Sequence, residues 1–260
     1  MFLTGDVTSV IGASDRVLLC GKNEFLVNVS LGMFHTNHGT INLSKLVGKK
    51  FGAKIKSSKG EAFIALRPNI NDFLEKRLAR LPQIISLKDC SIIAGHTGIS
   101  SGYRLLEAGT GSAFLTTFMA NLVKPDGKIF TYELRKDFFE SAKKNINDSG
   151  LSKWVEMKNK DIMKGVKEKD IDVVILDMLG SEKVVPNAYK SLKSGGWLVV
   201  YSPYIEQVKA ATEAIEKEDF MRIRTIECMV RDYKITRDFS RPNTTMLAHT
   251  GYITFARKAC

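Results

Sequence analysis

Between Asp15 and Arg67 the chain sets short apolar runs, RVLLC, EFLVNVS and EAFIAL, between turns rich in Gly, Asn and Lys. Runs this short, broken so regularly by turn formers, predict small antiparallel strands in a compact β unit. In NDFLEKRLARL the periodicity changes. Phe73, Leu74, Leu78 and Leu81 recur at helical spacing, with Asn71 or Asp72 available as a cap, so a helix over 71–81 is expected to lead from one domain to the next. After Gly102, runs of strand character (YRLLEA, KIFTYE, WVEMKNKD, IDVVILD, WLVVYS) alternate with helical stretches (SAFLTTFMANLV, DFFESAKKNIN, VVPNAYKSLK, YIEQVKAATEAIEKE). Such alternation predicts a mostly parallel sheet with helices on both faces. The last runs, RIRTIECMVRDYKIT and GYITFARK, have no helix between them and predict an antiparallel pair at one sheet edge. The expected organisation is a small β domain over 1–68, a linker with helices over 69–101, and an α/β domain over 102–260.

Composition adds constraints. A chain of 260 residues, 44% of them hydrophobic, can bury a substantial core. Cys20, Cys90, Cys228 and Cys260 lie far apart without C-x-x-C pairing, which points away from a zinc site or a disulfide framework and toward a reducing cytoplasm. The start, MFLTGDVTSVIG, lacks a basic segment leading into a long apolar core, and no apolar run approaches the roughly 20 residues of a membrane span, so a soluble, untargeted chain is expected. The net charge of +11 fits a polyanionic partner, of which nucleic acid is the commonest in a cytoplasm, although lysine-rich surfaces also serve solubility.

In open α/β sheets, ligands bind where the strands end. Here acidic residues stand at four successive strand ends: Glu107 before the turn Gly109-Thr110-Gly111-Ser112, then Glu133, Asp161 and Asp177. A dinucleotide-binding turn would carry a third glycine where this chain has Phe114, and Glu107 would repel a phosphate. Glu133, at the next strand end, suits a ribose diol. A nucleoside bearing a positive charge and no phosphate fits this pattern, namely S-adenosylmethionine.

The segments RLPQIISLKD, LLEAGTGSAFLT, YELRKDFFESAKKNI, VVILDM, GGWLVVYSPYIEQV and HTGYITFARK resemble the tRNA adenine-N1 methyltransferases that act in the T-loop, and FHTNHGTINLSKLVGKKFG resembles that family's amino-terminal β domain. The resemblance implies a class I, Rossmann-like methyltransferase with a mostly parallel seven-stranded sheet, an antiparallel edge hairpin and a small amino-terminal β domain. It implies S-adenosylmethionine as cofactor, tRNA as partner, N1 of adenine 58 (or 57) as target, a homotetramer and no metal. Position by position, it implies that Gly109, Thr110, Gly111 and Ser112 approach the cofactor, that Glu133 holds the ribose hydroxyls and Asp161 the adenine amino group, and that Gln83 lies near the methionine end; Glu107, an acid suited to a positively charged ligand, is counted with the cofactor-binding residues. Asp177 is implied as the catalytic carboxylate: methyl transfer moves positive charge onto the adenine, and a carboxylate accepting from the exocyclic amine orients the base and stabilises that charge.

The chain departs from this pattern on the base side. DMLGSE stands where the family carries Asp-x-Pro-x-Pro-Trp, Ser86 stands where a stacking tyrosine is usual, and Ala113 where a third glycine is frequent. An acid at a strand end can also simply cap the next helix. His35 and His38 read as polar contacts rather than metal ligands, and His249 as a packing or hydrogen-bonding residue. Arg231, Lys234, Arg237 and Arg241, together with Lys49 and Lys50, form either a solvated face or the phosphate-contacting surface. Two further readings stand beside the active methyltransferase: a cofactor-binding, catalytically weak tRNA-binding subunit, and a methyltransferase for another RNA.

Overall fold

The computed structural model describes residues 10–79 and 84–260. The chain divides into two compact units, Met1–Leu78 and Ala79–Cys260.

In the first unit the strands are β1 (Arg16–Cys20), β2 (Glu24–Asn28), β3 (Met33–Thr36), β4 (Gly39–Asn42), β5 (Ala53–Lys56) and β6 (Ala62–Leu66). Among the described residues they form an antiparallel sheet in the order β2-β1-β6-β5 and a separate β3-β4 ribbon. The alternation read from EAFIAL is realised in β6, where Phe63 and Ala65 are buried and Ala62, Ile64 and Leu66 face out. Phe63 packs with Val17, Leu19, Val27, Ile41, Leu43 and Ile55 in one core. The helix expected over 71–81 is α1, Ile70–Lys76: it begins earlier and stops sooner. Its cap is Asn69 rather than Asn71 or Asp72. The Asn69 side chain accepts from the Asn71 and Asp72 amides, and Asp72 accepts in return from the Asn69 amide at 2.7 Å, a reciprocal capping box. Leu81 lies outside the described residues.

The second unit runs α2 (Leu87–Thr97), β7 (Arg104–Ala108), α3 (Phe114–Val123), β8 (Lys128–Tyr132), α4 (Lys136–Ser149), β9 (Val155–Lys158), β10 (Ile171–Leu176), α5 (Val185–Ser191), β11 (Leu192–Ser202), α6 (Ile205–Ile215), β12 (Phe220–Glu227), β13 (Tyr233–Ile235), β14 (Ser240–Pro242) and β15 (Tyr252–Lys258). Among the described residues the main sheet has seven strands in the order β12-β15-β11-β10-β7-β8-β9, with β15 alone running against the other six. One core gathers Leu106, Val174, Leu176, Leu198 and Val200 with Ala188 of α5 and Ala211 and Ile215 of α6. The intervening residues of each strand, Leu105, Glu107, Val173 and Ile175 among them, point to the opposite face, because successive side chains alternate.

The stretch RIRTIECMVRDYKIT does not form one strand. Glu227 pairs with Tyr252, the first residue of β15, so the ladder runs out there. The chain beyond Glu227 pairs with itself instead, as the β13-β14 ribbon in which Lys234 faces Arg241.

Candidate active site

From β7 the chain winds outward through β8 and β9, then returns to the other side of β7 as β10. The order reverses between β7 and β10, and the crevice beyond their carboxyl ends is the place where such sheets hold ligands. The amides there are tightly held. Asp177 N donates to Ala108 O at 2.5 Å, Gly109 N to Asp177 O at 3.0 Å, and Thr110 N to Tyr132 O at 3.1 Å. These bonds seat the turn Gly109–Ser112 against the ends of three strands.

The backbone favours glycine at one point of the turn, Gly111, which takes φ +57. The Gly109 Cα lies close to both neighbouring acids: a Cβ there would meet Glu133 Oε2 at 3.5 Å and Asp177 O at 3.6 Å, ordinary contact distances. Ala113, where a third glycine is frequent, takes φ 62 as the residue before α3, a conformation that costs about 1–2 kcal/mol for a side chain with a Cβ.

The acids read from the strand ends flank this turn. Glu107 is 3% exposed and accepts from Thr116 Oγ1 of α3 at 2.6 Å. Glu133 accepts from Gly111 N and from Arg135 N, each at 2.9 Å, which locks the carboxylate while leaving lone pairs on both oxygens. Asp161 caps the short turn that follows β9, accepting from Met163 N at 2.9 Å. With Leu134, whose side chain is exposed, and with Lys160 and Lys164, it lines a pocket of about 460 Å³. Glu107, Gly109, Thr110, Gly111, Ser112 and Asp177 line a second, narrower pocket with the apolar Ile84, Ile85, Phe114 and Leu115. Gln83 lies outside the described residues.

The electrostatics of the narrow pocket are unusual. Burial pushes the Asp177 carboxyl from 3.8 up to about 7: although part of its surface is accessible, protein atoms surround it closely. Burial likewise lifts Glu107 to about 7, opposed by hydroxyl bonds from Thr116 and Thr131 and reinforced by the charges of Asp177 and Glu133. A cation bound beside these two carboxyls would favour their ionised forms and offset the cost of burying them, so the pocket suits a positively charged ligand. Ser112 Oγ, also lining the pocket, is buried without a hydrogen-bond partner among the described residues, a donor left for a ligand. A sulfonium nucleoside with an amino-acid tail matches this donor set: positive charge for the carboxyls, a carboxylate for Ser112, hydroxyls for Glu133.

On the other side of Asp177, pairing of Leu176 with Val200 places Tyr201 beside Asp177 in parallel register. Ser86 does not face the pocket as a stacking tyrosine would. Its hydroxyl donates to Asp89 Oδ2 at 2.8 Å. SLKD looks like a capping box in sequence, yet the Ser86 side chain caps no amide. Asp89, Lys88 and Thr250 carried no signal in the sequence, because what marks them is a contact across 161 positions of chain.

The remaining candidates lie elsewhere. Arg231, Arg237 and Arg241 are exposed on or beside the β13-β14 ribbon, where Lys234 and Arg241 flank the Phe239 ring at 5.5 and 5.8 Å. Lys49 and Lys50 are exposed in the first unit. His38 contacts the Asn23 amide at 2.5 Å and His35 the Thr40 hydroxyl at 3.1 Å, the polar contacts expected of them. His249 reaches Glu227 Oε1 at 2.5 Å through Nδ1 and Pro203 O at 2.9 Å through Nε2. Both partners are acceptors, so both ring nitrogens must donate, and the bond to Glu227 foremost raises the imidazole's pKa.

Sheet order, the switch-point crevice and the acid-flanked glycine turn together define a class I methyltransferase with a cofactor site for S-adenosylmethionine. The family model of the tRNA methyltransferase complex GCD14 subunit matches residues 71–239, and the chain belongs to that family. It is 35% identical to the tRNA (adenine(57)-N(1)/adenine(58)-N(1))-methyltransferase TrmI of Methanocaldococcus jannaschii, with 90% of each chain covered. It is 28% identical to the tRNA (adenine(58)-N(1))-methyltransferase TrmI of Thermus thermophilus, over 87% of this chain and 89% of that one. Among solved structures it resembles a SAM-dependent O-methyltransferase from Thermotoga maritima (TM-score 0.89, 32% identity, 100% and 98% of the two chains). It also resembles the tRNA (m1A58) methyltransferase TrmI of Aquifex aeolicus (TM-score 0.82, 27% identity, 96% and 99%).

Proposed function

We propose that this chain transfers a methyl group from S-adenosylmethionine to N1 of a T-loop adenine in tRNA, at position 58 or 57. The observation that carries the reading is the placement of Asp177, a carboxyl pushed up to about 7, at the switch point against the Gly109–Ser112 turn. When bound, the cofactor supplies an electrophilic methyl group on a sulfonium. Glu133 would hold the ribose hydroxyls, Asp161 the adenine amino group, and Ser112, Glu107 and Gln83 the methionine end, with the backbone of Gly109, Thr110 and Gly111 toward the nucleoside. The N1 lone pair of adenine is already nucleophilic, so no proton need be removed before attack. Asp177 is the catalytic residue: it accepts from the exocyclic amine, orients the base and faces the positive charge that develops on the ring.

The basic ribbon, with Arg231, Arg237 and Arg241, and the Lys49–Lys50 surface contact the tRNA backbone in this reading. The active form is a homotetramer in the cytoplasm. Support comes from the large apolar side chains exposed between β12 and β15, Met229, Val230, Tyr233, Ile235 and Leu247, which association between copies would cover. Scattered free cysteines suit a reducing compartment.

The test is incubation of the protein with an unmodified tRNA transcript and S-adenosylmethionine, followed by nucleoside mass spectrometry and primer extension. The expected product is 1-methyladenosine with a stop at position 58 or 57. The turned-in Ser86 hydroxyl favours the weak-subunit alternative, which predicts cofactor and tRNA binding without turnover. A methylated nucleoside outside the T-loop would assign another RNA target.

A further inference from the structure

Asp89 is a fully buried carboxylate on which four donors converge. Lys88 Nζ reaches Oδ1 at 2.7 Å. Ser86 Oγ and Thr250 Oγ1 each reach Oδ2 at 2.8 Å, and the Tyr201 hydroxyl reaches it at 3.3 Å. Lys88 Nζ also donates to Cys228 O at 2.6 Å and to Thr250 Oγ1 at 2.7 Å. The cluster thus ties the first turn of α2 to the end of β11, to the residue after β12 and to the approach of β15.

A buried ion pair is a poor source of net stability, because the desolvation of two charges offsets their attraction, but it holds its partners in one geometry. What it holds here is next to the reacting carboxylate. Tyr201 follows Val200, the partner of Leu176, and so stands beside Asp177 on the flank away from the glycine turn. Burial raises the Tyr201 hydroxyl's pKa, and the charges of Asp89 and Asp177 add to the rise. The backbone is cut to fit the ring: a Cβ on Gly251 would lie 2.5 Å from Tyr201 Cζ and 2.7 Å from its oxygen. The cofactor turn occupies the β7 flank of Asp177, which leaves the β11 flank open to a methyl acceptor.

We propose that Asp89, neutralised by Lys88, is the positioning residue for the acceptor side of the site, fixing Tyr201, Thr250 and Ser86 as one rigid wall beside Asp177. Asp89 touches neither substrate; it acts through the groups it holds. The inference rests on the methyltransferase reading, and the test separates the two, since parental turnover on tRNA is established in the same assay before any variant is compared.

The experiment measures methyl transfer to tRNA and cofactor affinity by calorimetry on the full chain. Asp89→Asn and Tyr201→Phe should each lower kcat on the order of ten- to a hundredfold, the loss typical of a small misplacement near the chemistry, with cofactor affinity within about twofold of the parent. Their effects should be less than additive, because they act through one contact. Thr250→Val should behave like them, whereas Thr250→Ser, which keeps the hydroxyl, should restore turnover. If Asp89→Asn fails to fold, Lys88→Met/Asp89→Asn removes both charges and should recover the parental melting temperature while kcat stays low. Parental kcat in that double variant, or in both Tyr201→Phe and Thr250→Val, overturns the proposal, as does a loss of cofactor affinity that matches the loss of kcat.

Discussion

Replacement of Asp177 by asparagine should make the cofactor-free protein more stable at alkaline pH while disabling it. The carboxyl titrates near 3.8 in an open chain and near 7 in the folded pocket, so the folded state takes up the proton more readily. Below pH 4 both states are protonated and the group is neutral in its effect. As pH climbs from about 4 to about 7, the unfolded chain ionises freely and the folded one does not, so stability falls over that range. The rise from 3.8 to about 7 corresponds to a ceiling of about 4 kcal/mol against the ionised folded form. Asparagine never ionises and escapes that loss. At about 2–4 °C per kcal/mol for a unit of this size, the melting temperature of Asp177→Asn should exceed the parent's by several degrees at pH 8. The two should converge at pH 4. Thermal unfolding followed by circular dichroism at both values, without cofactor, reads the difference. Methyl transfer at pH 8 should fall steeply in the same variant, because the missing negative charge acts on the transition state, and cofactor should still bind. An asparagine variant no more stable than the parent at pH 8 would refute the account of a carboxylate held against its solvation. One with full turnover would remove Asp177 from the mechanism.

Three further outcomes are expected. Glu133→Ala should weaken S-adenosylmethionine binding by about 1.5–3 kcal/mol in calorimetry, since a charge-assisted acceptor is removed and the Gly111 and Arg135 amides are left without their partner; unchanged affinity sinks the assignment. His249 has a folded pKa raised by Glu227, so its contribution to stability is fully present below the unfolded pKa and disappears as pH rises through the folded one. His249→Ala should therefore lower the melting temperature at pH 5.5 and leave it near parental at pH 9, and a pH-independent difference would contradict this. Binding of tRNA should weaken steeply with salt, and neutralising Arg231, Arg237 and Arg241 should flatten the log–log slope by about 0.7–0.9 for each phosphate that the arginines no longer pair; affinity indifferent to salt would leave the +11 charge unexplained.

Local pattern carried much of this architecture. Alternating runs of strand and helix length located β7 to α6 with boundaries shifted by a few residues, because burial of one face imposes its period on a segment whatever that segment packs against. The same reading placed Glu107, Glu133, Asp161 and Asp177 at strand ends, and the topology of a parallel sheet gathers strand ends at one edge. Pairing decided the rest. Nothing within RIRTIECMVRDYKIT says that its partner strand begins at Tyr252, so the division into β12 and a separate ribbon was not legible. Nor does SLKD reveal that Ser86 turns away from the pocket to Asp89, or that Asp89 meets Thr250 and Tyr201. The raised pKa values of Glu107 and Asp177 belong to the same class: two acids with ordinary intrinsic affinities are pushed up to about 7 because the fold withdraws water from them. Periodicity is a property of neighbours in the chain and survives in the sequence, whereas desolvation and long-range hydrogen bonding exist only between segments that folding has brought together.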